Sequence, residues 1–193
     1  MDKKLDNISL IKTFMMFAVV LYHSCCFFGG DWFTVIQPAY HFKLANLIIK
    51  FFRTFHTQAF TMASGYLFFY LWIEKKKYLN LKESIWRKFK RLVVPYFFTC
   101  IVWVIPISYY FYRYTFNQIF YRYILMVMPN QLWFLIMLFG VFCVFFFIKE
   151  KVLFSKLYFI IVYIITTLIS SFLLKYDINY FQIARIIEYI LYF

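Results

Sequence analysis

The residues with the clearest chemical potential are a lysine and a histidine in one apolar segment near the N-terminus. Lys12 and His23 are eleven positions apart within residues 8–28. Eleven residues make about three helical turns, so both side chains project from nearly the same face, roughly 16 Å apart along the axis. Ionisable groups are costly at membrane depth and usually line a cavity or a pathway. We therefore predict His23 as a general base towards a hydroxyl, and Lys12 as a cation for an anionic cofactor.

Both residues also have a purely structural interpretation. A histidine at this depth can simply bond a neighbouring helix. A lysine at the cytoplasmic end of a span commonly extends its amine to the headgroups and only marks orientation. The two residues alone do not decide between these alternatives.

A basic cluster precedes a later apolar segment and provides further candidates. Four of the five residues from Arg87 to Arg91 are cationic. Such a cluster attracts phosphates by charge, and its arginines add bidentate hydrogen bonds. We predict Lys88 and Arg91 as cofactor-binding residues; the alternative is a topology signal that contacts lipid headgroups.

Three more residues are predicted to bind substrate. His56 and Ser64 lie in a segment with many polar groups, where the alternatives are an interfacial histidine and a Ser-Gly packing notch. Trp133 opens a later span at the outer face, where aromatic belts are also common.

The composition sets the class of protein in which these residues must act. Of the 193 residues, 65% are hydrophobic and only 15% are charged, whereas soluble domains carry about a quarter charged residues. The net charge is +13, and the basic residues lie between apolar runs. This placement indicates a role in membrane topology and in contacts with anionic lipid, rather than in binding nucleic acid. The four cysteines have no zinc-ligand spacing and are read as apolar filler, and no metal is expected.

We predict an all-α, polytopic transmembrane helix bundle with five full spans and a partial sixth, forming a single domain over residues 1–193. Fourteen of the 21 Lys and Arg residues then fall on the side of the N-terminus, which is therefore expected to be cytoplasmic. The last apolar segment has no cap or tail, so the chain is interpreted as the front portion of a longer protein or as an unusually curtailed version. The predicted spans are residues 8–28, 55–73, 92–112, 131–148 and 154–174, with the last beginning near 179; residues 40–53 are predicted as an amphipathic lead-in.

Taken in order, several strings resemble the membrane-bound acyltransferase family 3, whose members O-acylate cell-surface sugars. The first is a basic-x10-His pattern, Lys12 and His23. The second is Phe55-His56 followed by Phe60 and Ser64-Gly65-Tyr66. The third is the basic-x-x-basic pair Lys88 and Arg91 with Pro95-Tyr96, and the fourth is Leu132-Trp133-Phe134-Leu135.

The resemblance implies an acyltransferase of the bacterial cytoplasmic membrane. It would move an acetyl or succinyl group from acyl-CoA to a sugar hydroxyl of a cell-surface glycan, with His23 activating that hydroxyl and Lys12, Lys88 and Arg91 binding donor phosphates. Lipid and the glycan are the expected partners, and the oligomeric state is left open. This chain departs from the family in having Lys12 and Lys88 where arginines are usual, and in covering about half the usual helices. The alternative is a non-catalytic polysaccharide export or flippase component, which the few Gly and Pro residues disfavour.

Overall fold

The structure is a computed structural model that describes residues 3–29, 40–151 and 156–193. Across these ranges the chain is helical and contains no strand, which confirms the predicted all-α class. The chain divides into two compact units, residues 1–70 with 192–193 and residues 71–191. The α-helices are α1 (Lys3–Gly29), α2 (Lys43–Arg53), α3 (His56–Ile73), α4 (Leu81–Thr99), α5 (Ile105–Tyr112), α6 (Phe116–Ile119), α7 (Trp133–Ile148), α8 (Lys156–Lys175) and α9 (Ile183–Tyr189).

The first unit contains α1, α2 and most of α3. The predicted lead-in segment forms α2, which is amphipathic and buries Ala45 and Ile49. In α1, Ala18 and Cys26 are completely buried, so small side chains allow close packing along that face. Gly30 and Asp31, which follow the predicted first span, lie outside the described residues.

The second unit begins with a helix that is longer than the sequence predicts. The charged stretch before residue 92 is helical from Leu81, because the Asn80 side chain accepts a hydrogen bond from the Glu83 amide and caps the helix. Pro95 lies inside α4 and, having no N–H, cannot bond the carbonyl of Arg91. A π-helical turn at Cys100–Val104 then connects α4 to α5.

Two buried tyrosines lie in the core of this unit and form hydrogen bonds there. Tyr96 and Tyr123 are both fully buried, and the Tyr96 hydroxyl donates to the Tyr123 carbonyl oxygen at 2.8 Å. The Tyr123 hydroxyl lies 2.7 Å from Ser108 Oγ and accepts from the Asn130 amide at 3.4 Å. These bonds tie α4, α5 and the segment before α7 together in a core that is otherwise apolar.

Four helical stretches among the described residues are long and apolar enough to cross a membrane. The segment 55–73 forms the helix α3 as predicted but is not among the four, since its polar N-terminal residues lower its hydropathy. The partial sixth span corresponds to the short helix α9 and the turns beside it, and the predicted start of the fifth span, Phe154, lies outside the described residues. The four stretches are Asp6–Cys26, Leu81–Tyr112, Asn130–Ile148 and Leu157–Lys175.

Candidate active site

In the first unit, the half-buried His23 lies on the continuous helix α1. Its Nδ1 is 2.9 Å from the Val19 carbonyl oxygen, one helical turn earlier. A carbonyl oxygen only accepts hydrogen bonds, so the neutral ring carries its proton on Nδ1 and leaves Nε2 as the acceptor. In this tautomer Nε2 is the nitrogen that can take a proton as a general base.

A tyrosine connects this histidine with the second predicted one. The ring of Tyr22 lies 5.0 Å from the ring of His23 and 4.8 Å from the ring of His56, measured between centroids. His56 is buried at the start of α3, and its Nδ1 lies 2.6 Å from the Phe52 carbonyl oxygen. The structure thus brings His23 and His56 into one cluster with Tyr22, a residue that the sequence analysis did not single out.

Lys12 lies on the same helix as His23, about 16 Å away along the axis. It is half-buried, and its Nζ is 5.8 Å from the centroid of the Phe60 ring in α3. Its ammonium is therefore directed at a neighbouring helix of the same unit. Such a placement differs from that of a lysine that extends along its own helix to the headgroups.

Ser64, the other predicted site residue of α3, is 2% exposed. Its neighbour Gly65 is also buried. A Cβ atom on Gly65 would overlap the carbonyl oxygen of Phe193. These observations favour the packing interpretation of the Ser-Gly pair at least as much as a role in binding substrate.

In the second unit, the two predicted phosphate-binding cations lie three residues apart on α4. Lys88 is half-buried, and its Nζ lies 3.5 Å from the centroid of Phe142 and 5.7 Å from that of Tyr78. Arg91 is exposed, as is Arg87, which forms an ion pair with Glu83. On α4, Lys88 therefore lies against aromatic rings, Lys90 Nζ lies 5.3 Å from the centroid of the Trp86 ring, and Arg91 is exposed.

Two further residues contact each other in this unit, Tyr78 in the loop before α4 and Lys149 directly after α7. Lys149, at the end of α7, donates to the Tyr78 carbonyl oxygen at 2.8 Å, and its Nζ lies 5.4 Å from the Trp72 ring. Burial raises the pKa of Tyr78, and the nearby positive charge of Arg91 works against that rise. The two contacting residues are 71 positions apart, so no local pattern could have paired them.

Trp133 begins α7 and lines a cavity of about 380 Å³ within the second unit. Its ring lies 5.6 Å from the Tyr189 ring and 5.5 Å from the Arg185 guanidinium carbon. Arg185 also forms an ion pair with Glu188, at 2.7 Å. Trp133 thus lines a cavity at the start of a membrane-length helix, and its role in binding substrate stays a prediction.

Among the described residues, no group of three His, Cys, Asp or Glu side chains converges as a metal site would require. The four cysteines are free thiols, and Cys26 and Cys100 are buried.

Four helical stretches of membrane-spanning length and apolarity among the described residues define an integral, all-α membrane protein. A family model described as an acyltransferase domain matches residues 5–193. The chain belongs to this family, acyltransferase family 3, and is an acyltransferase, as the resemblance of its motifs indicated. No curated protein and no solved structure matches the chain.

Proposed function

We propose that the protein transfers an acyl group, acetyl or succinyl, from acyl-CoA to a sugar hydroxyl of a cell-surface glycan. The observation that carries this proposal is the 2.9 Å distance between His23 Nδ1 and the Val19 carbonyl oxygen, which favours the tautomer with Nε2 as the proton acceptor. The chain would act in the bacterial cytoplasmic membrane with its N-terminus in the cytoplasm, as the distribution of basic residues favours.

The chemistry requires one proton acceptor and one polarised thioester. His23 Nε2 takes the proton of the sugar hydroxyl as that oxygen attacks the thioester carbonyl carbon. The carbon–sulfur bond then breaks, and the thiolate of CoA takes the proton back from the imidazolium. The products are the sugar ester and free CoA, so atoms and charge balance without a metal or a redox partner.

The remaining predicted residues would bind the two substrates. In the first unit, Lys12 supplies a cation for the donor, while His56 and Ser64 contact the acceptor. In the second unit, Lys88 and Arg91 contribute positive charge for the donor phosphates, and Trp133 presents an aromatic face to the sugar.

The three histidines of the chain provide a matched test of the proposed base. Replacing a general base lowers the rate by about 10²–10⁴-fold, so His23→Ala should lose acyl transfer from labelled acyl-CoA to glycan in membrane vesicles. His41→Ala is the control, because His41 is exposed at the start of α2. Unchanged acyl transfer in His23→Ala, with normal protein levels, would refute the assignment of His23 as the base. If the protein is instead an export component, neither the wild type nor any variant will transfer an acyl group.

A second test changes the positive charge on α4 that we propose binds the donor phosphates. Arg91→Glu should raise KM for acyl-CoA, and the increase should be largest at low ionic strength, where surface charges are least screened. Lys82→Glu is the control, since Lys82 is an exposed cation in the first turn of the same helix. An equal effect of both variants would show that general surface charge, rather than a site at Arg91, attracts the donor.

A further inference from the structure

The loop between α3 and α4 has an unusual backbone conformation at Tyr78. The φ of this residue is 65°, in the left-handed region that residues other than glycine seldom adopt and that a bulky side chain adopts least readily. Such a conformation persists only where surrounding contacts hold it, and it is found often at functional sites. The proposed mechanism does not use this loop, so the contacts of Tyr78 indicate what the conformation serves.

Contacts with α3 and with the end of α7 hold the loop in this conformation. Lys149, directly after α7, donates to the Tyr78 carbonyl oxygen at 2.8 Å. The Tyr78 ring packs on the Phe146 ring of α7, with 5.5 Å between the centroids. The amide of Lys77 donates to the carbonyl oxygen of Leu71 in α3 at 2.9 Å, which fixes the residue before Tyr78. The loop is therefore anchored to both helices.

The anchored ring of Tyr78 lies beside basic residues of α4. Lys88 Nζ is 5.7 Å from the centroid of the Tyr78 ring. Burial raises the pKa of the Tyr78 phenol, and the positive charges of Arg91 and Arg87 oppose that rise without reversing it. The phenol therefore keeps its proton at neutral pH and can donate a hydrogen bond, and phosphate oxygens are strong acceptors. The Tyr78 hydroxyl adds a neutral hydrogen-bond donor next to cations that we propose bind the phosphates of acyl-CoA.

We propose that Tyr78 is a further phosphate ligand of the acyl-CoA site, and that Lys149 is a positioning residue that holds Tyr78 beside Lys88 and Arg91. Lys149 acts through the Tyr78 carbonyl oxygen, so its ammonium group does not itself bind the phosphates. This inference rests on the proposed use of acyl-CoA. It adds to the site two residues that lie outside α4 and are 71 positions apart in the chain.

Direct binding tests this assignment without relying on turnover. The full chain in lipid nanodiscs is titrated with CoA by isothermal titration calorimetry. Tyr78→Phe should raise Kd about tenfold or more, because a hydrogen bond to a charged phosphate is lost. Lys149→Met should raise Kd as well, because Tyr78 is no longer held in place, whereas Lys149→Arg keeps a cationic hydrogen-bond donor and should restore most of the binding.

Two controls separate positioning from a general loss of charge. Lys82→Met removes an exposed cation from the first turn of α4 and should leave Kd nearly unchanged. In the double variant Tyr78→Phe/Lys149→Met, the combined effect should be much smaller than the sum of the single effects, because Lys149 acts through Tyr78. Tyr78→Phe retains the ring and the backbone carbonyl, so it tests the hydroxyl even if Lys149→Met does not fold.

Transfer assays should give a matching pattern. Because the interaction contributes to binding of acyl-CoA in the ground state and the transition state alike, Tyr78→Phe and Lys149→Met should raise KM for acyl-CoA and leave kcat unchanged. The KM for the glycan acceptor should not change. A variant that only lowers the stability of the protein would instead reduce the amount of active enzyme and leave both KM values as they are.

The outcomes separate this inference from the proposed function. If the wild type binds CoA with the expected order of Kd values but transfers no acyl group, the site is supported and the proposed transfer fails. If the wild type binds CoA and Tyr78→Phe binds it equally well, the role of Tyr78 is overturned while acyl-CoA stays the proposed donor. Wild-type affinity in Lys149→Met, or additive effects in the double variant, overturns the positioning role of Lys149. If the wild type does not bind CoA, the proposed donor and this inference both fail.

Discussion

The Pro-Tyr element that follows the basic cluster allows a sharp test of the fold. Tyr96→Phe removes one hydroxyl from a side chain that is completely buried, and leaves the ring in place. That hydroxyl donates to the Tyr123 carbonyl oxygen at 2.8 Å. The substitution therefore leaves a buried carbonyl without this donor while changing the packing very little.

The magnitude follows from the burial of both partners. Leaving a buried acceptor unsatisfied costs about 1–3 kcal/mol, more than the net value of an exposed hydrogen bond. For a chain of 150–250 residues, each kcal/mol lowers Tm by about 2–4 °C, so the expected fall is roughly 2–12 °C. We expect no comparable change in Tyr110→Phe, because Tyr110 is 68% exposed in the same membrane-length stretch.

A thiol-reactive dye can follow unfolding, because Cys26 and Cys100 are buried and free in the native protein. Cys100 lies one helical turn after Tyr96, so its labelling reports directly on this region. If the thiols of Tyr96→Phe react at the same temperature as those of the wild type, or if Tyr110→Phe lowers Tm equally, the Tyr96–Tyr123 hydrogen bond does not stabilise the fold as proposed.

Three further changes test the second unit. A side chain at Gly140 would overlap Ile186, so Gly140→Val should cost about 1–3 kcal/mol in thermal melts, and adding Ile186→Ala should recover part of it. Asn80→Ala removes the N-cap of α4 and should cost about 1 kcal/mol by the same assay, while Asn80→Asp, which keeps the cap, should not. Burial raises the pKa of Tyr123 above the ordinary 10.0, so its contribution to stability is complete below pH 10 and is lost as the pH rises further. Tyr123→Phe should therefore flatten the fall of Tm between pH 10 and 11, and an unchanged slope would contradict a buried phenol there.

Local signals in the sequence were sufficient for the helices themselves. Long apolar runs predicted the stretches around α1, α7 and α8, and the amphipathic pattern predicted α2, because helical period and hydropathy are encoded residue by residue. The extent of α4 was missed. Charged residues suggested a loop up to Arg91, whereas the Asn80 cap and the good helix formers that follow it extend the helix to Leu81.

The sequence by itself determined the class of the protein and its family. The high proportion of hydrophobic residues predicted a membrane protein. Motifs in a fixed order, such as Lys12 with His23, indicated an acyltransferase, and the family match confirmed this prediction. Both kinds of signal are local, since they depend only on residue types and their spacing along the chain.

Only the tertiary structure decided which distant residues share a site. The contact of Tyr22 with His56, the bond from Lys149 to Tyr78, and the cavity that joins Trp133 to Asp177 each cross dozens of positions. Such contacts depend on how helices pack against one another, and packing is set by many weak contacts at once rather than by any one stretch of sequence.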